Sequence, residues 1–444
     1  NTIDMTHGTL WNKILLFALP LAASSILQQL FNSVDTAVVG RFASSRALAA
    51  VGSTSSFISL MINLFIGISL GSNVVIAHYI GQKVEKNIQA AIHTAITVAL
   101  IGGCFVMILG QFIGRPVLIL MGTPEDVIDL AVQYLRIYFL GMPFILLYDF
   151  GSSILRSTGD SRRPLYSLIV AGILNTVLNL ILVIVFQMGV AGVAIATVVS
   201  NIVSSGIVMW ILMHEPEPVR FTPSKLTLNG KELWKILSIG VPAGLQGMVF
   251  SLANVCIQST INSFGSDAVA GSAAALNYEF FSYFIVNAFA QTTVTFTSQN
   301  YGAGEYDRCR KIFQINMAFS MVFCGLLSAI FVIGRSFFLG LYTTDVSVLE
   351  YATTRLVIAT TLELLTSAYE ISGGAMRGLG HSLQPALITV FGSCVLRLIW
   401  ISTACVAVHE FWVLIIIYPI SWVVTGIIMI ISYLRLRKKM LIKN

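Results

Sequence analysis

The sequence predicts an all-α membrane protein of twelve transmembrane helices in two pseudo-symmetric six-helix bundles. Three observations predict it. The composition is one that only lipid can solvate, twelve apolar runs have spanning length, and the second half of the chain repeats the first.

Of 444 residues, 56% are hydrophobic and 10% charged, and the mean hydropathy is +0.85. A soluble domain carries about 25% charged residues. This chain lacks the polar side chains to cover a globular surface, and disorder is excluded because it requires low hydrophobicity. The six cysteines (Cys104, Cys256, Cys309, Cys324, Cys394, Cys405) show no C-x-x-C spacing, and all but Cys309 lie in apolar runs. They are read as reduced packing residues. The first apolar run is too long for a cleavable signal and lacks an evident cleavage site.

A spanning helix needs about 20 mostly apolar residues. The first six candidates are 14–38, with Pro20 and Asp35; 54–79; 89–113; 128–154, with Tyr148 and Asp149; 165–186, with Asn175 and Asn179; and 190–212, with Thr197. The second six are 235–262, with Pro242; 273–298, with Glu279; 312–333; 348–375, with Glu363 and Glu370; 386–408, with Arg397; and 411–434. The small and polar residues within these runs permit close helix packing and cross-helix hydrogen bonds. Their apolar stretches are continuous rather than alternating, which argues against a β-barrel.

Orientation follows from Lys and Arg. With the N-terminus in the cytoplasm, nineteen of them lie on that side and four (Arg41, Arg46, Arg115, Arg335) on the other. Arg136, Arg355 and Arg397 fall within spans, the first two near outer ends. Both termini are therefore expected in the cytoplasm of a plasma (inner) membrane protein. The same asymmetry accounts for the net charge of +6 without nucleic acid.

The halves match at an offset near 221 residues. Arg156-Ser-Thr-Gly159-Asp-Ser161-Arg-Arg-Pro164 faces Arg377-Gly-Leu-Gly380-His-Ser382-Leu-Gln-Pro385, both reading R-x-x-G-x-S-x-x-P. Tyr148-Asp149 faces Tyr369-Glu370 at the same offset, and Lys13 and Pro20 face Lys235 and Pro242 one residue off it. Six spans per half is an even number, so the repeat is parallel. Transporters commonly place a site between such repeats and rock one against the other. The expected organisation is an N-terminal lobe 1–212, a polar cytoplasmic linker 213–231 and a C-terminal lobe 232–444.

Three segments carry a family resemblance. Phe31-Asn-Ser-Val-Asp35-Thr-Ala-Val-Val-Gly40, Gln299-Asn-Tyr-Gly-Ala-Gly304 and the paired R-x-x-G-x-S-x-x-P motifs resemble the multidrug and toxic compound extrusion (MATE) family, over essentially the whole chain. The resemblance implies export of amphipathic, often cationic compounds against inward H⁺ or Na⁺, with no other cofactor. It also implies a cation site in the first lobe. Carried over position by position, that site is Asp35, Asn175, Asn179 and Thr197, which would also be the ligands if the ion is Na⁺. Asn179 departs from the family pattern, which has Asp there. One carboxylate fewer argues against tight Na⁺ binding but does not exclude it, because amide oxygens also ligate hard cations. The resemblance further suggests that the first helix bends at Pro20 when the Asp35 region changes protonation.

Spacing independently sets these residues at one depth. Asn175 and Asn179 share a helix face. Asn179 lies roughly 22 Å from the cytoplasmic start of its helix, and Thr197 about 10 Å from the outer start of the next. Asp35 is near the outer end of the first. A membrane Asp is costly and usually marks an ion or proton path.

In the second lobe, the first helix has no carboxylate between Glu232 and Asp267 and carries Gln246, Asn254 and Gln258 instead. The candidate polar site there is Glu279, Glu363, Gln246 and Asn254. Glu363 and Arg397 reach similar depth, and an ion pair between them is expected because buried charges need partners. Asp149 and Glu370, as repeat equivalents, fit a structural or gating role. Tyr278, Phe280, Phe281, Met248 and Phe250 are candidates for lining a drug cavity, since flat rings and flexible Met accept varied shapes.

A flippase of lipid-linked oligosaccharides is the alternative, but it calls for a strongly cationic interior, and only Arg397 lies deep in a span. No H-E-x-x-H, no G-x-S-x-G and no paired catalytic carboxylates occur, so an enzyme is not expected. The expected partners are small amphipathic or cationic substrates and membrane lipid, with a monomer as the working unit.

Overall fold

The computed structural model describes residues 2–441, and they form an integral, multi-pass, all-helical membrane protein. The first series is α1 Leu10–Ala43, α2 Ser45–Gln82, α3 Glu85–Leu120, α4 as the bent pair Glu125–Leu140 and Met142–Ser157, α5 Arg162–Val185 and α6 Val190–Met213. The second is α7 Gly230–Asn262, α8 Ser266–Gly302, α9 Tyr306–Ile333, α10 as the broken run 346–378, α11 Leu383–Ala407 and α12 Phe411–Met440. Every apolar run read from the sequence falls on one of these passes. Among the described residues nine are single helices long and apolar enough to cross a membrane, and α4 makes ten when its arms, bent by 47°, count as one span. The bend sits at Gly141, followed by Pro143 in the first turn of the second arm, where proline is tolerated.

The helices run past the apolar cores seen in sequence. α2 has 38 residues, or roughly 57 Å at 1.5 Å per residue, well beyond the ~30 Å of hydrocarbon. Its ends are fixed locally. Ser44 accepts from the Ala47 N–H at 3.0 Å, and Lys83, at φ +60°, turns the chain out. The repeated motif is one structure used twice. Gly159 and Gly380 take φ of +102° and +90°, a region open to glycine at no steric cost. The next helices begin at Arg162 and Leu383, again 221 apart. Asp160 secures the first of these starts by accepting from the Arg162 and Arg163 N–H groups.

Two compact units result, and their limits fall inside helices. One comprises Asn1–Ile3 and Ala23–Gly240, the other Asp4–Ala22 and Val241–Asn444. The two helices that carry the paired prolines, Pro20 and Pro242, are thus each shared between units. In the first unit α2 and the start of α7 meet backbone to backbone: a Cβ on Gly240 would stand 2.6 Å from Ile68 Cα. The segment before α7 belongs to that unit through one face of α3. Gln89 donates to Glu217 and the Arg220 carbonyl, His93 Nε2 accepts from the Thr222 N–H at 3.2 Å, Thr94 Oγ1 accepts from the Asn229 N–H at 3.2 Å, and Thr97 donates to the Thr227 carbonyl at 3.1 Å. The 213–231 segment is therefore strapped down along much of its length.

Candidate functional site

The first unit brings three of its four predicted residues together. Asp35 lies on α1, half-buried, and Asn175 and Asn179 face it from α5. Asn175 Nδ2 donates to both Asp35 oxygens, at 2.9 and 3.0 Å, and Asn179 Nδ2 donates to Asp35 Oδ1. The two amides share a face because they are four residues apart. Their carbonyl oxygens, Asn175 Oδ1 and Asn179 Oδ1, are buried without a hydrogen-bond partner among the described residues. Thr197 is not bonded into this group. Its hydroxyl donates back to the Val193 carbonyl on its own helix at 3.1 Å.

The local backbone explains the fit. A Cβ on Gly172 of α5 would overlap the Phe31 ring of α1, so the missing side chain lets the helices approach. Phe31 and Asp35 are one turn apart on α1, and Gly172, Asn175 and Asn179 follow one another up α5, so the close approach delivers the carboxylate to the amides. Just beyond the site both helices widen into π turns, Val39–Ala43 and Leu180–Val185, which pack against each other. Such turns concentrate at functional positions. Sequence reasoning missed Gly172. Its signal was the small residue one turn below Asn175.

In this arrangement two amide N–H groups donate to the carboxylate and stabilise it as an ionised group. A half-turn of either amide exchanges N–H for oxygen and places carboxylate and carbonyl oxygens on one point, which suits a hard cation. The same turn lets an orphan carbonyl accept from a protonated Asp35.

The second unit corrects several expectations. Glu363 and Arg397 do not pair: no carboxylate lies within 4.0 Å of Arg397 among the described residues, and Glu363 Oε2, buried, has no partner. The buried ion pair is instead Arg355 with Glu279, at 2.8 and 3.2 Å, with Arg355 Nη1 also donating to Ser272 Oγ. Arg355, read from sequence as lying within a span near its outer end, is 3% exposed. It captures Glu279 because α10 and α8 pack side by side. That depth alone cannot set pairing is the physical lesson, since equal depth on different helices says nothing of which faces meet. Gln246 accepts from Arg377 Nη2 at 2.5 Å, whereas Asn254 is exposed. Glu370 accepts from the Tyr283 hydroxyl at 3.3 Å.

The aromatic candidates for a cavity divide. Tyr278 is core: it is buried against Phe331, Leu339 and Leu356, and its hydroxyl donates to the Phe338 carbonyl. Phe281 packs on the same cluster. Phe280 is exposed, Met248 is half-buried, and Phe250 lies against a guanidinium described below.

Twelve helical passes, a motif repeated in each half and a carboxylate–amide cluster within the first define a polytopic repeat protein of the kind that moves solutes. Comparison with known proteins narrows this. The chain is 30% identical over 397 residues to the probable multidrug resistance protein YoeA of Bacillus subtilis (strain 168), covering 88% of this chain and 86% of that one. It is 27% identical to a FAD transporter of Shewanella oneidensis, covering 72% of each. Among solved structures, one in the outward-facing conformation, of a MATE family transporter of the MOP superfamily, superposes with a TM-score of 0.91 over 99% of both chains at 21% identity, which bears on the fold. The MatE family model matches residues 20–181 and 242–401. The chain belongs to the MatE family.

Proposed function

We propose that this protein is a secondary active exporter of amphipathic compounds, driven by inward movement of H⁺ or Na⁺ through the Asp35 site. The observation that carries the reading is the cluster itself: a membrane carboxylate held by two amides whose own carbonyls are left without partners. The family membership supports export, and the names of relatives, one a multidrug resistance protein and one a FAD transporter, leave the substrate class broad.

In this reading the positively charged loops face the cytoplasm, and both termini lie there. A cation arriving from outside binds Asp35 and turns the amides. Altered packing of α1 against α5 then shifts the balance between outward-open and inward-open states. The ion can do so only through its differential affinity for the two states. For Thr197 to enter the site its hydroxyl must first leave the Val193 carbonyl.

The test is dye transport in reconstituted vesicles. Ethidium movement is followed under an imposed pH gradient or Na⁺ gradient, for wild type and Asp35→Asn. Gradient-driven movement abolished by Asp35→Asn supports the reading, and the active gradient names the ion. Absence of movement under both gradients refutes it and favours a flippase, with lipid-linked oligosaccharide as the next substrate to try.

A further inference from the structure

α7 has two exposed sides of opposite character. Leu245, Leu252 and Val255 form an apolar one, which hydrocarbon solvates. Asn254 and Gln258 form a polar one. With Gln246 and Phe250 they follow at four-residue intervals, a spacing that makes one inclined ridge on a helix. Gln246 is bonded to Arg377 and Gln258 donates to Asn262 Oδ1; an amide such as that of exposed Asn254 is costly in hydrocarbon, so this side of the helix suits water or a polar ligand.

Two arginines of the second unit stand against its inner end. Arg377 is held by Gln246. Arg397 lies against Phe250, its guanidinium 5.0 Å from that ring's centroid and 4.9 Å from the centroid of Tyr418. Arg397 is 1% exposed, its Nε donates to Ser421 Oγ at 3.1 Å, and its Nη1 has no acceptor. Glu279 is committed to Arg355, and Glu363, the buried carboxylate whose charge acts on Arg397, lies beyond ion-pair distance of it. A buried charge without a counter-ion is strongly disfavoured. A guanidinium whose fork is aimed by one serine and flanked by two rings is also the arrangement that receives a planar carboxylate or a phosphate.

We infer that Arg397, with Phe250 and Tyr418, forms an anion subsite in the second unit. It takes the carboxylate or phosphate group of an amphipathic substrate that also carries a flat ring. This rests on the export reading and extends its substrate class from organic cations to aromatic organic anions. Phe250, half-buried, is the ridge residue in contact with the guanidinium, so the ridge offers the approach. Glu363 is the internal rival. If it served as the counter-ion of Arg397 at longer range, no ligand would be required.

A matched set of fluorescent probes separates the cases: 1-pyrenebutyrate, 1-pyrenebutanol and 1-pyrenebutylammonium, titrated onto the full-length protein in lipid nanodiscs, reading the saturable component. In wild type the carboxylate probe is expected to bind at least tenfold tighter than the alcohol. Arg397→Gln is expected to abolish that preference by weakening the carboxylate probe and tightening the ammonium probe, while the thermal melting curve of the variant reports that it is folded. Equal affinity for carboxylate and alcohol in wild type overturns the proposal and needs no variant. So does an unchanged preference in Arg397→Gln, or a preference for the carboxylate that appears only in Glu363→Gln. Failure of the export reading is distinguishable. Charge-dependent binding with no gradient-driven movement of any probe in vesicles would sink export and leave the subsite standing.

Discussion

Replacing Glu279 with glutamine removes one charge from the Arg355–Glu279 pair and keeps its shape. Both side chains are buried, and the closest approach is 2.8 Å. At that distance two unit charges attract by about 6 kcal/mol at an effective dielectric near 20. Glutamine retains one acceptor oxygen for the guanidinium, and Ser272 Oγ still accepts from Nη1, so part of the hydrogen bonding survives. What does not survive is neutralisation of a buried guanidinium. Breaking such a pair from one side costs about 3–5 kcal/mol, a change in the unfolding equilibrium of more than a hundredfold at ~1.4 kcal/mol per factor of ten. The assay is reversible unfolding in mixed micelles of a mild detergent and dodecyl sulfate, followed by tryptophan fluorescence. The double variant Glu279→Gln/Arg355→Gln should recover most of the loss, since no uncompensated charge is left. The reasoning fails if Glu279→Gln lies within about 1 kcal/mol of wild type, or if the double variant is no more stable than the single.

Two further outcomes follow from the first unit. Asn179→Asp restores a second carboxylate beside Asp35, and Na⁺ should then stabilise the protein against heat more than K⁺ does. A melting temperature indifferent to the choice of cation would show that residue 179 does not face the ion. Gly172→Ala places a methyl group in the Phe31 ring, an overpacking that costs about 1–3 kcal/mol and pushes Asp35 away from Asn175. Gradient-driven transport should fall, and Phe31→Ala added to it should restore activity. Full transport in Gly172→Ala alone would refute the close-approach account.

Much of this protein was written in its sequence alone. Lipid burial requires long unbroken apolar runs, so hydropathy located the passes. The repeat announced itself through residues with backbone duties, as at Gly159 and Gly380, where positive φ admits few alternatives. Asp35, Asn175 and Asn179 were legible through the family resemblance, and the i, i+4 spacing placed the two amides on one helix face. What only tertiary structure decided is which faces touch. Sequence spacing gives depth and azimuth within one helix, but not the rotation of one helix against its neighbour. Arg355 therefore took Glu279, Glu363 and Arg397 were left apart, Thr197 turned back onto its own helix, and Tyr278 went into a core rather than onto a cavity wall. The division into units was hidden for the same reason. Its limits, at Ala22–Ala23 and Gly240–Val241, fall in the middle of helices, where no loop marks them, and are set by what each half-helix packs against.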